Sequence, residues 1–490
     1  MKISEIVVFV VYLAFMLGIG VYFFIKDRNG GEKTFFLGDR KMGAWVGALS
    51  AGASDMSAWV LMGLPTAIYA IGLGEVWISA GLAIGYTISW LVQAPRLRRF
   101  SIVSGDAITI PQYLTNRFMA KSKALQVICA LVFLLAYTIY TAASIKACGI
   151  LFHKVIGLDV TLSMYLAAFI VVGYTFLGGF SAVCWTDFFQ GLLILATMLT
   201  APLFAIFMLD STTQVIDTPH YWNAFGDWRK VVSGLTWGLG YFGMPHIIIR
   251  FMSLSSQKEL KKSAKIGISW TVLIVIFAAA IGLIGRMKLG MQADIKENEL
   301  VFIQMVRMIF PGVISGVLLS AVLAASMSTA DSQLLSASSA LASDVYKPII
   351  RKDRASEFEL LWVGRIIVLA VAMVSMLIAA NPNAGSIMGL VTNAWGLFGA
   401  AFGPAIMLSL FWRRFNFAGA AAGIIIGAAA DIAWLYLCPK TGIYELLPGF
   451  VIGAIGAVVV TLLTRAPSAE VMQLYDRAVT YDDKTVDCNE

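Results

Sequence analysis

Apolar runs of about 20 residues recur from one end of this chain to the other, each long enough to cross roughly 30 Å of hydrocarbon. A helix satisfies its own backbone, so a chain built of such runs folds as a bundle of membrane-spanning helices. Of the 490 residues, 59% are hydrophobic and only 13% are charged, a balance foreign to soluble domains of this length. The runs read as thirteen transmembrane spans: 4–25, 42–71, 73–95, 124–150, 159–178, 187–209, 231–253, 266–286, 301–331, 359–379, 386–411, 418–437 and 445–464. No stretch reads as a separate soluble domain, so residues 1–490 form one polytopic all-α unit.

Charge placement orients it. The connections "KDRNGGEKTFFLGDRK", "RLRR" (96–99), "KELKKSAK" (258–265) and "RKDR" (351–354) are basic. They share one side, which carries about 25 Lys and Arg against about 8 on the other, so the positive-inside rule makes it cytoplasmic. The N-terminus then lies outside and a tail at 465–490 inside, as an odd number of spans requires. The first span is too long for a cleavable signal peptide, and no small-residue cleavage site follows it. The basic loops need no role beyond topology, and nothing points to nucleic acid.

Several chemistries lack their signatures. The five cysteines, at 129, 148, 184, 438 and 488, form no CxxC pair, and the histidines at 153, 220 and 246 have no ligand spacing. No phosphate loop or nucleophile–base constellation occurs, so neither an enzyme nor a bound cofactor is expected.

Two spans are interrupted. Within 42–71 the stretch "SAGASDMSAW" places Asp55 at mid-membrane, where a carboxylate costs about 2.5–3.5 kcal/mol on the lenient insertion scale; Gly63 and Pro65 follow. Five spans later, "WGLGYFGMPHIIIR" (237–250) holds Gly238, Gly240, Gly243 and Pro245. Proline removes an amide donor and clashes with the carbonyl four residues back. Breaks in matching spans of two halves mark secondary transporters, so spans two to six (42–209) and seven to eleven (231–411) form two five-helix repeats, with accessory helices at 4–25, 418–437 and 445–464. A broken helix presents free carbonyls, which suit a cation, and free amides, which suit an anion.

A single break has too few carbonyls for a hard cation. The helix "LLSAVLAASMSTADSQLLSASSA" (318–340) can add oxygens, since Ala325, Ser328 and Thr329 lie at i, i+3 and i+4 on one face, and Ser332, Ser336 and Ser339 continue it. Such hydroxyls equally serve as packing glue or bond back to their own helix. As ligands they suit a monovalent ion; a divalent site gathers carboxylates.

The stretches "ALSAGASDMSAWVLMGLP" (48–65), "YTFLGGFSAVCWTDFFQ" (174–190), "WGLGYFGMPHIIIRFM" (237–252) and "LLSAVLAASMSTADSQLL" (318–335) resemble the sodium/solute symporter family, in particular its proline branch. The resemblance runs from "LGDR" near 37–40 through "YELLPGF" at 444–450. It implies the leucine-transporter-type fold, with one helix before the two repeats and two after. It also implies a sodium site made by the carbonyls of Ala53, Met56 and Ala325 and the hydroxyls of Ser328 and Thr329. Ser57, Trp59, Tyr140, Trp237, Tyr241 and Pro245 match the solute cavity. Asp55, Arg40 and Asp187 match residues of coupling or gating weight, although Asp187 reads equally well as the cap of a helix starting at 187.

Two positions depart from the family pattern. Ala58 stands where glycine is expected, adding a methyl beside the first break. Asp331 stands where a small hydroxyl residue is usual; it either joins Asp187 and Ser332 in a second ion site or, the favoured reading, faces a watery cytoplasmic vestibule. Asp55 is expected in an unwound segment against a wet cavity, compensating a bound cation and accepting amides of the following half-helix; a purely structural cap is the alternative. The resemblance implies sodium-coupled uptake of L-proline by alternating access, in a bacterial cytoplasmic membrane, with no obligatory protein partner. Another small organic acid or osmolyte as solute, or a transporter-like sensor, are the alternatives. A channel would need filters or rings, which the sequence lacks.

Overall fold

The computed structural model describes residues 3–27, 31–208, 210, 220–292, 294–295 and 299–483. Cys488 and the end of the expected 465–490 tail lie outside the described residues. Among those described there is no strand, only an isolated bridge between Met42 and Leu254. Among the described residues, ten helices are long and apolar enough to cross a membrane. Helices Ile3–Lys26 and Phe417–Leu437 expose apolar side chains over much of their length, whereas Gly312–Leu341 and Ile387–Phe411 are buried almost throughout. The latter two form the centre around which the broken helices pack.

Both expected breaks are present. The first helix runs Ala44–Asp55 and ends where Met56 leaves helical geometry (φ −82°, ψ 74°). It resumes through a widened turn at Trp59–Gly63 into Leu64–Ile71. Wide turns of this kind recur at functional sites because they release backbone groups from the regular ladder. The second runs Trp228–Thr236, tightens over Trp237–Phe242, breaks at Met244 (φ −78°, ψ 102°) and restarts as Pro245–Ser253. Its glycines serve close packing. A Cβ on Gly240 would lie 2.0 Å from Trp395 Nε1, and one on Gly243 would lie 2.5 Å from Phe398 O.

Several boundaries differ from expectation. The expected span 301–331 is two helices, Val301–Ile309 and Gly312–Leu341. Pro311 divides them, holding the preceding Phe310 extended (φ −106°, ψ 143°), as a residue before proline must be. The second of these runs past 331 and winds on through wider turns to Ile350. Its polar stretch stays helical because it is buried among other helices rather than in lipid. The expected spans 159–178 and 187–209 are two helical arms that meet at a break at Gly179 (φ 60°, ψ −168°), so the second begins about two turns before 187. The basic "RLRR" is no loop. It ends the helical run Leu73–Val103, and Arg98 Nε bonds Leu254 O at 2.8 Å while Arg96 Nη1 bonds Leu410 O at 2.7 Å. Beyond 465 the chain folds into helix Ala469–Thr480, and Tyr475 packs edge-on against Phe100 (5.2 Å).

Candidate functional site

The first break delivers its residues to the face of helix Gly312–Leu341. Ser328 Oγ lies 2.8 Å from Ala53 O and 3.2 Å from Ala325 O, and Thr329 Oγ1 lies 3.5 Å from Ala53 O. Three contacts therefore link four oxygens of the expected ion set, and the residues that carry them are buried. Met56 is buried at the break itself, where Val60 N bonds Ser57 O (3.1 Å), one residue short of the regular ladder. Ala58 has ordinary right-handed geometry (φ −54°, ψ −21°), so its methyl adds no backbone strain.

Asp55 does not face water, and its carboxylate is not held by amides of the following half-helix. It is fully buried, and Oδ2 accepts a 2.6 Å hydrogen bond from the Tyr241 hydroxyl; Oδ1 has no protein partner. This phenol comes from the second broken helix, so one contact ties the two breaks together. The physical cause is reach: side chains of the two broken helices meet here, and a phenol reaches farther than a backbone amide. Trp59 Nε1 adds a bond to Asp55 O at 3.3 Å.

Around this contact the aromatic residues form a box. Trp59 and Trp237 lie 5.9 Å apart, Trp237 and Trp395 5.9 Å, and Tyr241 meets Trp395 edge-on at 5.1 Å. Trp395 Nε1 donates to the backbone carbonyl of Trp237 (2.9 Å), fixing the Trp395 indole against the second break. Tyr140 packs edge-on against His246 (6.2 Å), beside Pro245. Ser57 lies in the break between Asp55 and Trp59 and is buried. A cleft of about 410 Å³ opens above the box, lined by Trp237, Tyr444, Glu445, Glu75 and Lys230.

The residues expected at a second ion site are together, with an addition the sequence reading missed. Asp187 Oδ2 accepts from Ser50 Oγ (2.7 Å), Ser54 Oγ (3.0 Å) and Arg250 Nη2 (3.2 Å). Ser332 Oγ contacts Ser54 Oγ (2.9 Å), Arg250 Nη2 (2.6 Å) and Asp331 Oδ1 (3.2 Å). Asp187 is not a cap: it lies about two turns inside the helical arm Gly179–Met208. Asp331 faces no vestibule, since it is fully buried against this cluster. Arg40 stands apart from both sites, in a clasp at the basic end. Its guanidinium holds Asp106 (2.8 Å), Ser101 Oγ (3.1 Å), Met252 O (2.5 Å) and Ala107 O (2.8 Å). Burial opposes the Asp106 charge, but Lys33 and Arg40 outweigh it and hold this carboxyl below its ordinary range.

Sequence reasoning missed Arg250, His246, Trp395 and Tyr86, whose ring meets Tyr241 edge-on at 5.0 Å. For the first two the signal was present, because ionisable residues inside an apolar run are functional candidates by default. For the aromatics there was none, since buried aromatic side chains are ordinary in such helices.

The sodium:solute symporter family model matches residues 35–427. The chain is 40% identical over 487 residues to the osmoregulated proline transporter of Bacillus subtilis strain 168, covering 97% of this chain and 98% of that one. It is 41% identical over 469 residues to the high-affinity proline transporter of the same strain (94% and 98% covered). It is also 41% identical over 475 residues to a sodium/proline symporter of Staphylococcus aureus strain USA300 (94% and 92%). Among solved structures, the substrate-bound outward-open state of a Na+-coupled sialic acid symporter superposes with a TM-score of 0.80 at 22% identity, covering 95% of this chain and 99% of the other. A nucleobase-cation-symport-1 family transporter in a closed conformation superposes at 0.57 and 14% identity, covering 91% and 98%. These likenesses establish the leucine-transporter-type fold.

Proposed function

We propose that this chain, which belongs to the sodium:solute symporter family, is a sodium-coupled symporter of L-proline and not an enzyme. The solute follows from relatives at 40–41% identity over nearly the whole chain that are named proline transporters or sodium/proline symporters. The observation that carries the mechanism is the Tyr241–Asp55 hydrogen bond, which joins the two helix breaks between the oxygen cluster and the aromatic box.

Sodium enters among the carbonyls of Ala53, Met56 and Ala325 and the hydroxyls of Ser328 and Thr329. Ser328 Oγ donates to Ala53 O; to ligate sodium the hydroxyl turns its proton away and offers a lone pair, and the oxygens need not move far. The carboxylate of Asp55 compensates the ion's charge through a short, low-dielectric path. Its bond to Tyr241 then carries ion binding to the second break, where Trp59, Tyr140, Trp237 and Tyr241 enclose the proline ring. Ser57 and the backbone groups before Pro245 meet the polar ends of the solute. Small-ligand sites are built this way, mostly apolar with a few placed polar groups.

Thirteen crossings, with two repeats of five at 42–209 and 231–411, are the reading that the paired breaks support. The basic end faces the cytoplasm of a bacterial cell and the N-terminus lies outside. On that orientation the Arg40–Asp106 clasp closes the inner side, while the cleft lined by Trp237 and Tyr444 leads outward. Alternating access exchanges these two closures. Uptake of labelled proline by reconstituted vesicles, with and without an inward sodium gradient, tests the function; accumulation independent of sodium refutes it.

A further inference from the structure

The aromatic box is backed by a residue from outside both broken helices. Helices Phe417–Leu437 and Leu446–Leu463 pack as an accessory hairpin, and their connection lies against Trp237. There the Tyr444 ring stacks on the Trp237 indole, 5.2 Å centre to centre and 29° from parallel. The other indoles on Trp237, those of Trp59 and Trp395, are each at 5.9 Å. The two stacked partners are held differently. Among the described residues no hydrogen bond reaches the Trp237 indole nitrogen, so the rings packed on it set its place. Tyr444 is anchored at both ends. Its amide donates to Ser233 Oγ (3.0 Å) on Trp228–Thr236, the first half of the second broken helix, and its hydroxyl donates to Thr392 O (2.7 Å) on Ile387–Phe411. Trp434 Nε1 also donates to the preceding Ile443 O (3.2 Å). Thr392 lies one turn before Trp395, whose Nε1 holds the Trp237 carbonyl. One helix therefore fixes Trp237 twice, at its backbone through Trp395 and at its ring through Tyr444.

Resting on the proline-symport reading above, we infer that Tyr444 is a positioning residue: it holds the Trp237 indole against the solute and so sets the ring size that the box admits. Both rings line the cleft of about 410 Å³, and both residues are buried, so the indole stands between cleft and box with Tyr444 behind it. Stacked aromatic pairs at this separation are favourable beyond the area they bury, and the indole therefore follows the phenol. A ring without a polar anchor moves when its backing is removed. Without Tyr444 the indole settles into the space left behind, and the wall that faces the solute recedes. Small shifts of such a wall are read as selectivity, because one methylene in a hydrophobic pocket changes discrimination by about 10–200-fold. The accessory hairpin, which carries none of the expected ion oxygens, thus takes part in choosing the solute.

The test is displacement of labelled proline from purified protein at saturating sodium, by L-proline and by L-pipecolate, its homologue with one more ring methylene. Wild-type protein should prefer proline. Tyr444→Phe keeps the stacked ring and the Ser233 anchor, and should keep most of that preference. Tyr444→Ala should reduce the proline-to-pipecolate affinity ratio by about tenfold, chiefly through weaker binding of proline. A merely structural role would weaken both solutes alike, so an unchanged ratio in Tyr444→Ala overturns the inference. A Phe variant that loses as much selectivity as the Ala variant also overturns it, because the stacked ring would then not be what positions Trp237. If Tyr444→Ala is not recovered folded, Tyr444→Leu, which keeps apolar bulk without a flat face, decides by the same ratio. Failure of both to fold leaves Tyr444 a packing residue and overturns the inference. Wild-type protein without sodium-dependent proline binding would defeat the functional reading itself, which is a different result from an unchanged ratio.

Discussion

Tyr241→Phe isolates the contact that joins ion to solute. The substitution removes one oxygen and keeps the ring, so the edge-on packing of residue 241 against Tyr86 (5.0 Å) and Trp395 (5.1 Å) is retained. What disappears is a 2.6 Å hydrogen bond to a buried carboxylate whose other oxygen has no protein partner. Hydrogen bonds to charged groups contribute about 1.5–3 kcal/mol net. At about 1.4 kcal/mol per decade, that corresponds to roughly 10–100-fold in proline affinity at saturating sodium. Part of the loss should be coupling, because the bond links two sites and linkage is reciprocal. Equilibrium binding of labelled proline to purified protein, titrated at several sodium concentrations, measures both quantities. The sodium-induced gain in proline affinity should shrink in Tyr241→Phe. Asp55→Asn should show a similar loss, and the double variant should be little worse than either single one. If the two losses add to within about 0.5 kcal/mol, the residues act independently and the proposed route from ion to solute is wrong.

Three further outcomes follow from the same geometry. Thr329→Val keeps the shape of the side chain and removes one oxygen beside Ala53 O, so the apparent sodium affinity should fall severalfold at normal expression; unchanged sodium dependence removes Thr329 from the ion site. Tyr140→Ala should raise the proline concentration for half-maximal uptake more than it raises the sodium concentration, and a solute-bound structure with proline far from Trp59, Tyr140, Trp237 and Tyr241 would contradict it. Asp106, held below its usual range despite partial burial, contributes to stability above its unfolded-state pKa of about 3.9 and loses that contribution as pH falls through its lower folded-state value. Wild-type protein should accordingly keep the Arg40–Asp106 clasp at neutral pH and lose thermal stability only under strongly acidic conditions, with a component that Asp106→Asn lacks; superimposable acid profiles would rule this out.

How much of the molecule could be read without coordinates depends on the range of each interaction. The membrane class follows from continuous apolar runs, because a run of that length is a property of neighbouring residues. The two breaks were legible for the same reason: Gly238, Gly240, Gly243 and Pro245, or Gly52 to Ser57, mark weak helix locally, and Met56 and Met244 do leave helical geometry. Ala325, Ser328 and Thr329 share a face through the helical period alone, and that face meets Ala53. The break at Pro311 was equally local and could have been read from the proline itself. Partners were another matter. Nothing local says that Asp55 meets a phenol 186 residues away, that Asp187 meets Arg250 63 residues on, or that Asp331 is buried. A buried charge must find compensation somewhere, which its own sequence neighbourhood announces; which group supplies it depends on how separate helices cross, and only the packed bundle decides that.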